Sequence, residues 1–109
     1  MAQISTQQIG IGGVKPTYVA ATAGGDSFSP EGRTFLHIKN GGGSPVTVTV
    51  TAVGTGPGGN PVSNRVISIP ATDERMIGPF DPAGFADANA NGAIAYSGVT
   101  TVTIAAMRL

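Results

Sequence analysis

The clearest pattern in the chain is a strict alternation of valine and threonine over residues 46–51. A period of two places the valines on one face of an extended chain and the threonines on the other, which is typical of a strand with one buried face. Shorter stretches of similar character, bounded by glycine or proline, predict further strands. They cover residues 17–23, 33–40, 65–69, 74–77, 93–97 and 99–109.

These short strands, with no long segment of helical periodicity between them, predict an all-β fold. The expected architecture is a small antiparallel β-sandwich or a jelly-roll-like barrel. Phe80 and Phe85 are expected to plug an irregular corner of this body. Residues 54–61 are so rich in glycine and proline that we predict a flexible surface loop. A length of 109 residues fits one domain.

The first fifteen residues show neither helical nor sustained strand periodicity. We therefore predict an extended N-terminal arm over residues 1–15 and a single β-sandwich domain over residues 16–109. A mobile arm can become ordered on binding and add a strand to the sheet edge of a partner. The candidate partner-binding residues of this arm are Gln3, Ile4, Thr6 and Ile9.

Composition and charge narrow the classes of function. The formal net charge is zero, so no long-range field would gather nucleic acid or an anionic membrane, and neither is an expected partner. No signal-peptide pattern and no apolar run of membrane-spanning length occur, which disfavours a secreted or membrane-spanning product. The absence of cysteine excludes disulfides and Cys-based zinc sites. A neutral surface is easier to understand in a protein that becomes assembled.

Residues 87–92 match the first half of a calcium-binding loop, with Asp87, Asn89 and Asn91 as the candidate ligands. Such a loop usually supplies a bidentate carboxylate at its twelfth position, and here that position is Gly98. The alternative is a polar hairpin loop in which Asn91 and Gly92 form the turn. We expect the hairpin, and hence neither a metal nor a cofactor.

No set of residues indicates catalysis, so we expect no enzyme. His37 is the only histidine, and a triad would need a nucleophile and an orienting group in reach. We interpret it as a half-exposed strand histidine or a contact residue. Asp73, Glu74 and Asp81 could be imagined as paired carboxylates, but sugar cleavage usually needs a cleft with aromatic side chains, and the chain lacks tryptophan.

Four phrases carry a resemblance that covers much of residues 33–109. They are TFLHIKNG (34–41), RMIGPF (75–80), YSGV (96–99) and VTIAAMRL (102–109), with the Val-Thr alternation between the first two. Together they resemble a family of small head decoration, or cement, proteins of tailed bacteriophages. The resemblance implies a virion structural protein on the exterior of the capsid, often a homotrimer, whose partner is the major capsid protein.

Two other functions remain open from the sequence. One is a different structural part of a phage, such as a tail-tube or head-tail completion protein, which would share this composition. The other is a carbohydrate-binding β module. That class usually presents exposed aromatic platforms, and Tyr18 and Tyr96 are the tyrosines available for them.

Overall fold

The computed structural model describes residues 2–54, 63–87 and 89–109, so most of the loop predicted over residues 54–61 lies outside the described residues. Within these ranges the chain forms ten strands and one short helix. In chain order they are β1 (Ala2–Gln3), β2 (Thr6–Gln8), β3 (Val19–Ala20), β4 (Asp26–Phe28), β5 (Thr34–Asn40), β6 (Val46–Thr51), β7 (Arg65–Ile69), β8 (Asp73–Ile77), α1 (Pro82–Phe85), β9 (Gly92–Tyr96) and β10 (Val102–Arg108).

The strands form two packed sheets, which confirms the prediction of a small β-sandwich. The front sheet has the order β1-β4-β9-β6-β7. The back sheet has the order β2-β10-β5-β8, with β3 paired to β10 beside β2. Pairing is antiparallel within the body and parallel where β1 meets β4 and where β2 meets β10.

The core lies between the sheets and follows the predicted alternation. The valines of β6 are buried and its threonines are partly exposed, so the strand presents one apolar face to the back sheet. Leu36 and Ile38 of β5 and Ile104 of β10 are fully buried opposite them. Burial of each such side chain contributes about 1.5–3 kcal/mol to folding.

The predicted extended arm is not confirmed, because residues 2–8 pair with both sheets. β1 runs alongside β4 in the front sheet and β2 runs alongside β10 in the back sheet. Between them Ile4 is 4% exposed and belongs to the core. Its amide also donates to the carbonyl of Ser27 at 2.7 Å. Burial of Ile4 and these backbone bonds explain why the segment lies against the body.

The corner after β8 contains a single helical turn. The Asp81 carboxylate accepts a hydrogen bond from the amide of Ala83 at 3.0 Å, and Pro82 starts the turn. Phe80 and Phe85 are buried as predicted, with ring centroids 5.2 Å apart. The element before β9 is α1 and not a strand, so the hairpin expected at Asn91 and Gly92 is wrong. In the described part of the chain no helix reaches the length and apolarity needed to cross a membrane.

Candidate contact surface

Exposed apolar side chains are concentrated at one end of the back sheet. Among the described residues eight large hydrophobic side chains are exposed, and five of them lie on the loop after β2 or at the groove beside β8. We call this surface the apolar end; its members are Ile9, Ile11, Val14, Phe35, Met76, Pro79 and Leu109. Clusters of this kind mark interaction sites on soluble proteins more often than scattered apolar residues do.

The strand register brings these residues to the same end. Gln8 and Thr34 both pair with Arg108, from opposite sides of β10. Ile9 and Leu109 come directly after the paired residues Gln8 and Arg108, so both lie at the same end of the back sheet. The neighbouring pair between β5 and β8 joins Leu36 to Ile77. The β8 end and the segment that follows it thus lie beside the start of β5.

A groove of about 330 Å³ forms the floor of the apolar end. Its lining is mainly apolar and includes Phe35, Met76, Pro79 and Leu109. Gly78 permits the close packing behind this lining, because a Cβ at that position would lie 2.9 Å from the Cβ of Phe35. Its φ of +142° is also one that side-chain-bearing residues rarely adopt. A larger residue at position 78 would therefore distort the groove.

The apolar loop, residues 9–16, begins at the same end of the back sheet as the groove, because Gln8 and Thr34 both pair with Arg108. At its start the Ile9 amide donates to the Arg108 carbonyl at 2.8 Å. A turn follows, in which the Gly13 amide donates to the Gly10 carbonyl at 3.0 Å. Ile11 at the tip has a relative exposure of 110%, so the fold leaves this side chain wholly in solvent. The loop carries no charge before Lys15.

Two sets of contacts fix the end of the apolar loop. The Gln7 side-chain oxygen accepts a hydrogen bond from the Thr17 amide, and the Gln7 side-chain nitrogen donates one to the Thr17 carbonyl. Both bonds are 2.8 Å long. Next in the chain, the Tyr18 hydroxyl bonds His37 Nδ1 at 2.5 Å, and His37 Nε2 bonds Glu74 Oε1 at 3.0 Å. His37 is buried at 7% exposure, so the expectation of a half-exposed histidine is wrong.

The chain matches no protein-family model, no curated protein and no solved structure. Its candidate function therefore depends on the geometry of its own residues.

The four residues predicted to form a partner-binding arm are separated by the fold. Ile4 is in the core and Thr6 is half-buried in β2. The Gln3 side chain remains exposed and accepts a hydrogen bond from the Ser27 hydroxyl at 2.6 Å. Ile9, at 41% exposure, is the one of the four that joins the apolar end.

Sequence reasoning missed the other members of the apolar end, which are Ile11, Val14, Phe35, Met76, Pro79 and Leu109. The available signal was the presence of three large apolar residues, Ile9, Ile11 and Val14, in a glycine-rich stretch that was predicted to be exposed. Nothing local indicates that Leu109 and Met76 would share a groove. That proximity follows from the pairing of β5 with both β8 and β10.

The candidate calcium ligands form a carboxylate-capped turn. One Asp87 oxygen accepts the amides of Asn89 at 2.8 Å and Asn91 at 3.1 Å, while the Asp87 amide donates to the Asn91 carbonyl. This arrangement satisfies backbone donors within the loop. Over residues 2–54, 63–87 and 89–109 no group of three His, Asp or Glu side chains is placed to share a metal ion.

The carboxylates considered for acid-base chemistry have structural partners. Asp73 accepts the Glu74 amide at 2.8 Å and an Arg75 guanidinium hydrogen bond at 2.9 Å, and these contacts hold the pKa of its carboxyl below the usual range. Asp81 caps α1. Asp73 and Arg75 sit on β8, at an edge of the back sheet, where charged side chains oppose pairing with a foreign strand.

The two tyrosines are engaged with the body. Tyr18 packs edge-on against His37, and the Lys39 ammonium lies 4.2 Å from its ring centroid. The Tyr96 hydroxyl donates to the fully buried Asp26 carboxylate at 2.8 Å. Burial raises the pKa of Tyr96 above its ordinary value, and the hydrogen bond to Asp26 and the carboxylate charge raise it further.

Proposed function

We propose that this protein is a virion structural protein that decorates the exterior of a tailed-phage head and stabilises the assembled shell. Its partner in this proposal is the major capsid protein, and the apolar end is the surface that binds. The observation that carries the proposal is the concentration of exposed apolar side chains on an anchored loop with no charge before Lys15 and in the groove at the same end of the back sheet.

The apolar end has the character of the centre of a protein interface. Interface centres are depleted in charge and filled by large apolar side chains. Ile11 and Leu109 present such groups, with relative exposures of 110% and 66%. The anchored loop limits the conformational entropy lost on binding, which favours affinity. The phrases that resemble phage decoration proteins, at residues 34–41 and 75–80, contribute Phe35, Met76 and Pro79 to the groove.

Binding to the assembled shell would stabilise that shell without any chemical step. A subunit that binds the assembled lattice and not its dissociated parts shifts the equilibrium by RT ln(1 + [L]/Kd), which is about 2.7 kcal/mol at a hundredfold excess over Kd. If three copies are joined, their linked contacts raise the affinity of the whole without strengthening any one contact. We propose such a trimer as the acting unit.

The proposal is tested by co-sedimentation of the purified protein with heads that lack it. Fully burying an exposed isoleucine contributes about 1.5–3 kcal/mol, so Ile11→Ser is expected to weaken binding about 10- to 100-fold, and Ile9→Ser less, because Ile9 is only 41% exposed before binding. Val66→Ser is the matched control, because Val66 is 58% exposed on β7, in the other sheet. Equal binding by all three variants would overturn the assignment of the surface.

Localisation separates decoration from the other phage roles. Immunogold label distributed over the head supports decoration. Label confined to the neck or the tail would instead support a completion or tail-tube protein. The carbohydrate-binding alternative has no supporting observation among the described residues, where Tyr18 and Tyr96 are both occupied by contacts with the body.

A further inference from the structure

Arg33 is the one charged residue in the lining of the groove at the apolar end. All the other lining residues are glycine or apolar residues. Arg33 is exposed and comes directly before β5. The protein as a whole has a formal net charge of zero, so this guanidinium gives the groove a local positive charge that the rest of the surface does not share on average.

Two backbone hydrogen bonds fix the chain on both sides of Arg33. The Gly32 amide donates to the Phe80 carbonyl at 2.9 Å, and the Phe80 amide donates to the Thr34 carbonyl at 3.1 Å. The backbone of Arg33 is therefore already ordered at the groove, and only its side chain has to be ordered when a partner binds. This arrangement lowers the conformational entropy that is lost on binding.

The acidic side chains on the segments that adjoin Arg33 have other partners. Glu31 Oε2 lies 3.7 Å from Arg108 Nε. The Asp81 carboxylate accepts a hydrogen bond from the Ala83 amide at 3.0 Å. Among the residues that the structure describes, no carboxylate forms an ion pair with Arg33. Its guanidinium is therefore available to an anion from another molecule.

We infer that the groove receives a segment of the partner protein in which a large apolar side chain adjoins an aspartate or a glutamate. The apolar side chain packs on Phe35, Met76 and Pro79, and the carboxylate pairs with Arg33. That the partner is the major capsid protein rests on the proposed function. The groove volume of about 330 Å³ is at the lower end of the range for ligand pockets, which fits one or two side chains.

Charge complementarity favours an acidic segment over a neutral or a basic one. Covering Arg33 with an uncharged surface would remove water from the guanidinium without supplying a partner, and covering it with a cation would add repulsion. A carboxylate avoids both costs, and it accepts two parallel hydrogen bonds from the planar guanidinium. Arginine is also the charged residue that is enriched at the centres of protein interfaces.

The chemistry of the occupant is tested on the isolated protein with two small compounds. N-acetyl-L-leucine has an apolar side chain next to a carboxylate, and N-acetyl-L-leucinamide has the same side chain next to a neutral amide. Both affinities are measured by NMR titration that follows the methyl group of Met76 in the groove. Exposed ion pairs contribute modestly, so we expect the wild type to bind the carboxylate about threefold to fivefold more tightly than the amide.

Two variants show whether Arg33 is the group responsible. Arg33→Gln should bind the two compounds equally. Arg65→Gln is the matched control and should discriminate as the wild type does. Arg65 is also exposed, lies on β7 in the other sheet and has no ion pair among the described residues. Because both positions are exposed, both variants should fold as the wild type does, which circular dichroism checks.

Three results would overturn the inference. The first is equal affinity of the wild type for the two compounds, or no response of Met76 to either. The second is Arg33-dependent sedimentation with phosphatidylglycerol vesicles, which would assign the groove to a lipid surface. The third is Arg33-dependent self-association in analytical ultracentrifugation, which would assign it to a second copy of this chain.

Co-sedimentation with heads separates this inference from the proposed function. Arg33→Gln should bind heads about threefold to fivefold more weakly than the wild type, and Arg65→Gln should bind equally well. Equal binding by the wild type and Arg33→Gln would overturn the inference and leave the proposed function standing. Failure of the wild type to bind heads would overturn the proposed function, and the titrations would still decide which chemistry the groove accepts.

Discussion

Replacing Ile4 by alanine tests whether the N-terminal segment belongs to the folded body. Ile4 is 4% exposed and lies between the two sheets, next to a groove that also includes Gln7 and Ile104. Truncating a buried isoleucine to alanine costs about 2–5 kcal/mol, with the lower values where the site can relax. Because a groove adjoins Ile4, we expect a loss of about 2–3 kcal/mol from a domain stability of about 5–15 kcal/mol.

Urea denaturation followed by circular dichroism measures this loss as a lower midpoint at an unchanged slope. Ile11→Ala is the matched control, since the same truncation at a fully exposed position should change stability by less than about 0.5 kcal/mol. Deletion of residues 2–8 should destabilise more than Ile4→Ala, because it also removes the pairing of β1 and β2. Equal midpoints for Ile4→Ala and Ile11→Ala would refute the packed N-terminus and restore the arm.

Three further predictions concern buried polar groups and the turn at Asp87. The Asn40 side chain donates to the carbonyls of Ser44, Ile69 and Pro70 and accepts from the amide of Gly42. Asn40→Ala should therefore lower the free energy of unfolding, measured by urea denaturation, by about 2–4 kcal/mol. A decrease below about 1 kcal/mol would contradict this role. The raised pKa of Tyr96 means that its stabilising contribution is complete below the ordinary tyrosine pKa of about 10 and declines as the pH rises above it. Urea midpoints from pH 8 to pH 11 should therefore fall less steeply in Tyr96→Phe than in the wild type, and parallel curves would count against it. Chelation with EDTA should leave the melting temperature unchanged, whereas a fall of many degrees would support calcium at Asp87, Asn89 and Asn91.

The strands that could be predicted are those whose side chains alternate over several residues. The Val-Thr run of β6 is the strongest case, because one face packs on the back sheet and the other meets solvent. β4 was missed because Asp26, Ser27 and Phe28 show no such alternation. Asp26 is buried there through bonds from Tyr96 and the Thr22 amide, and the tyrosine lies seventy residues away.

The N-terminal strands were missed for a related reason. Backbone hydrogen bonds join residues 6–8 to β10, and such bonds leave no pattern in the side chains. A single apolar residue, Ile4, is buried where the chain crosses from one sheet to the other. One buried residue cannot form a repeating pattern, so the sequence gives no sign of these strands.

The candidate surface was only partly visible in the sequence. Ile9 is a candidate contact residue in the sequence because it lies in the predicted N-terminal arm. In the structure it is exposed for a different reason, since it begins a loop that is anchored to β10. The contacts of His37 with Tyr18 and Glu74 join three separate parts of the chain: the segment before β3, strand β5 and strand β8. Such a meeting depends on strand order and register, which local patterns do not determine.

The most direct test of the account is the number of copies of this protein in purified virions, measured by quantitative mass spectrometry against the major capsid protein. Head decoration predicts a copy number that scales with the number of capsid subunits. A few copies per particle, or none, would contradict it.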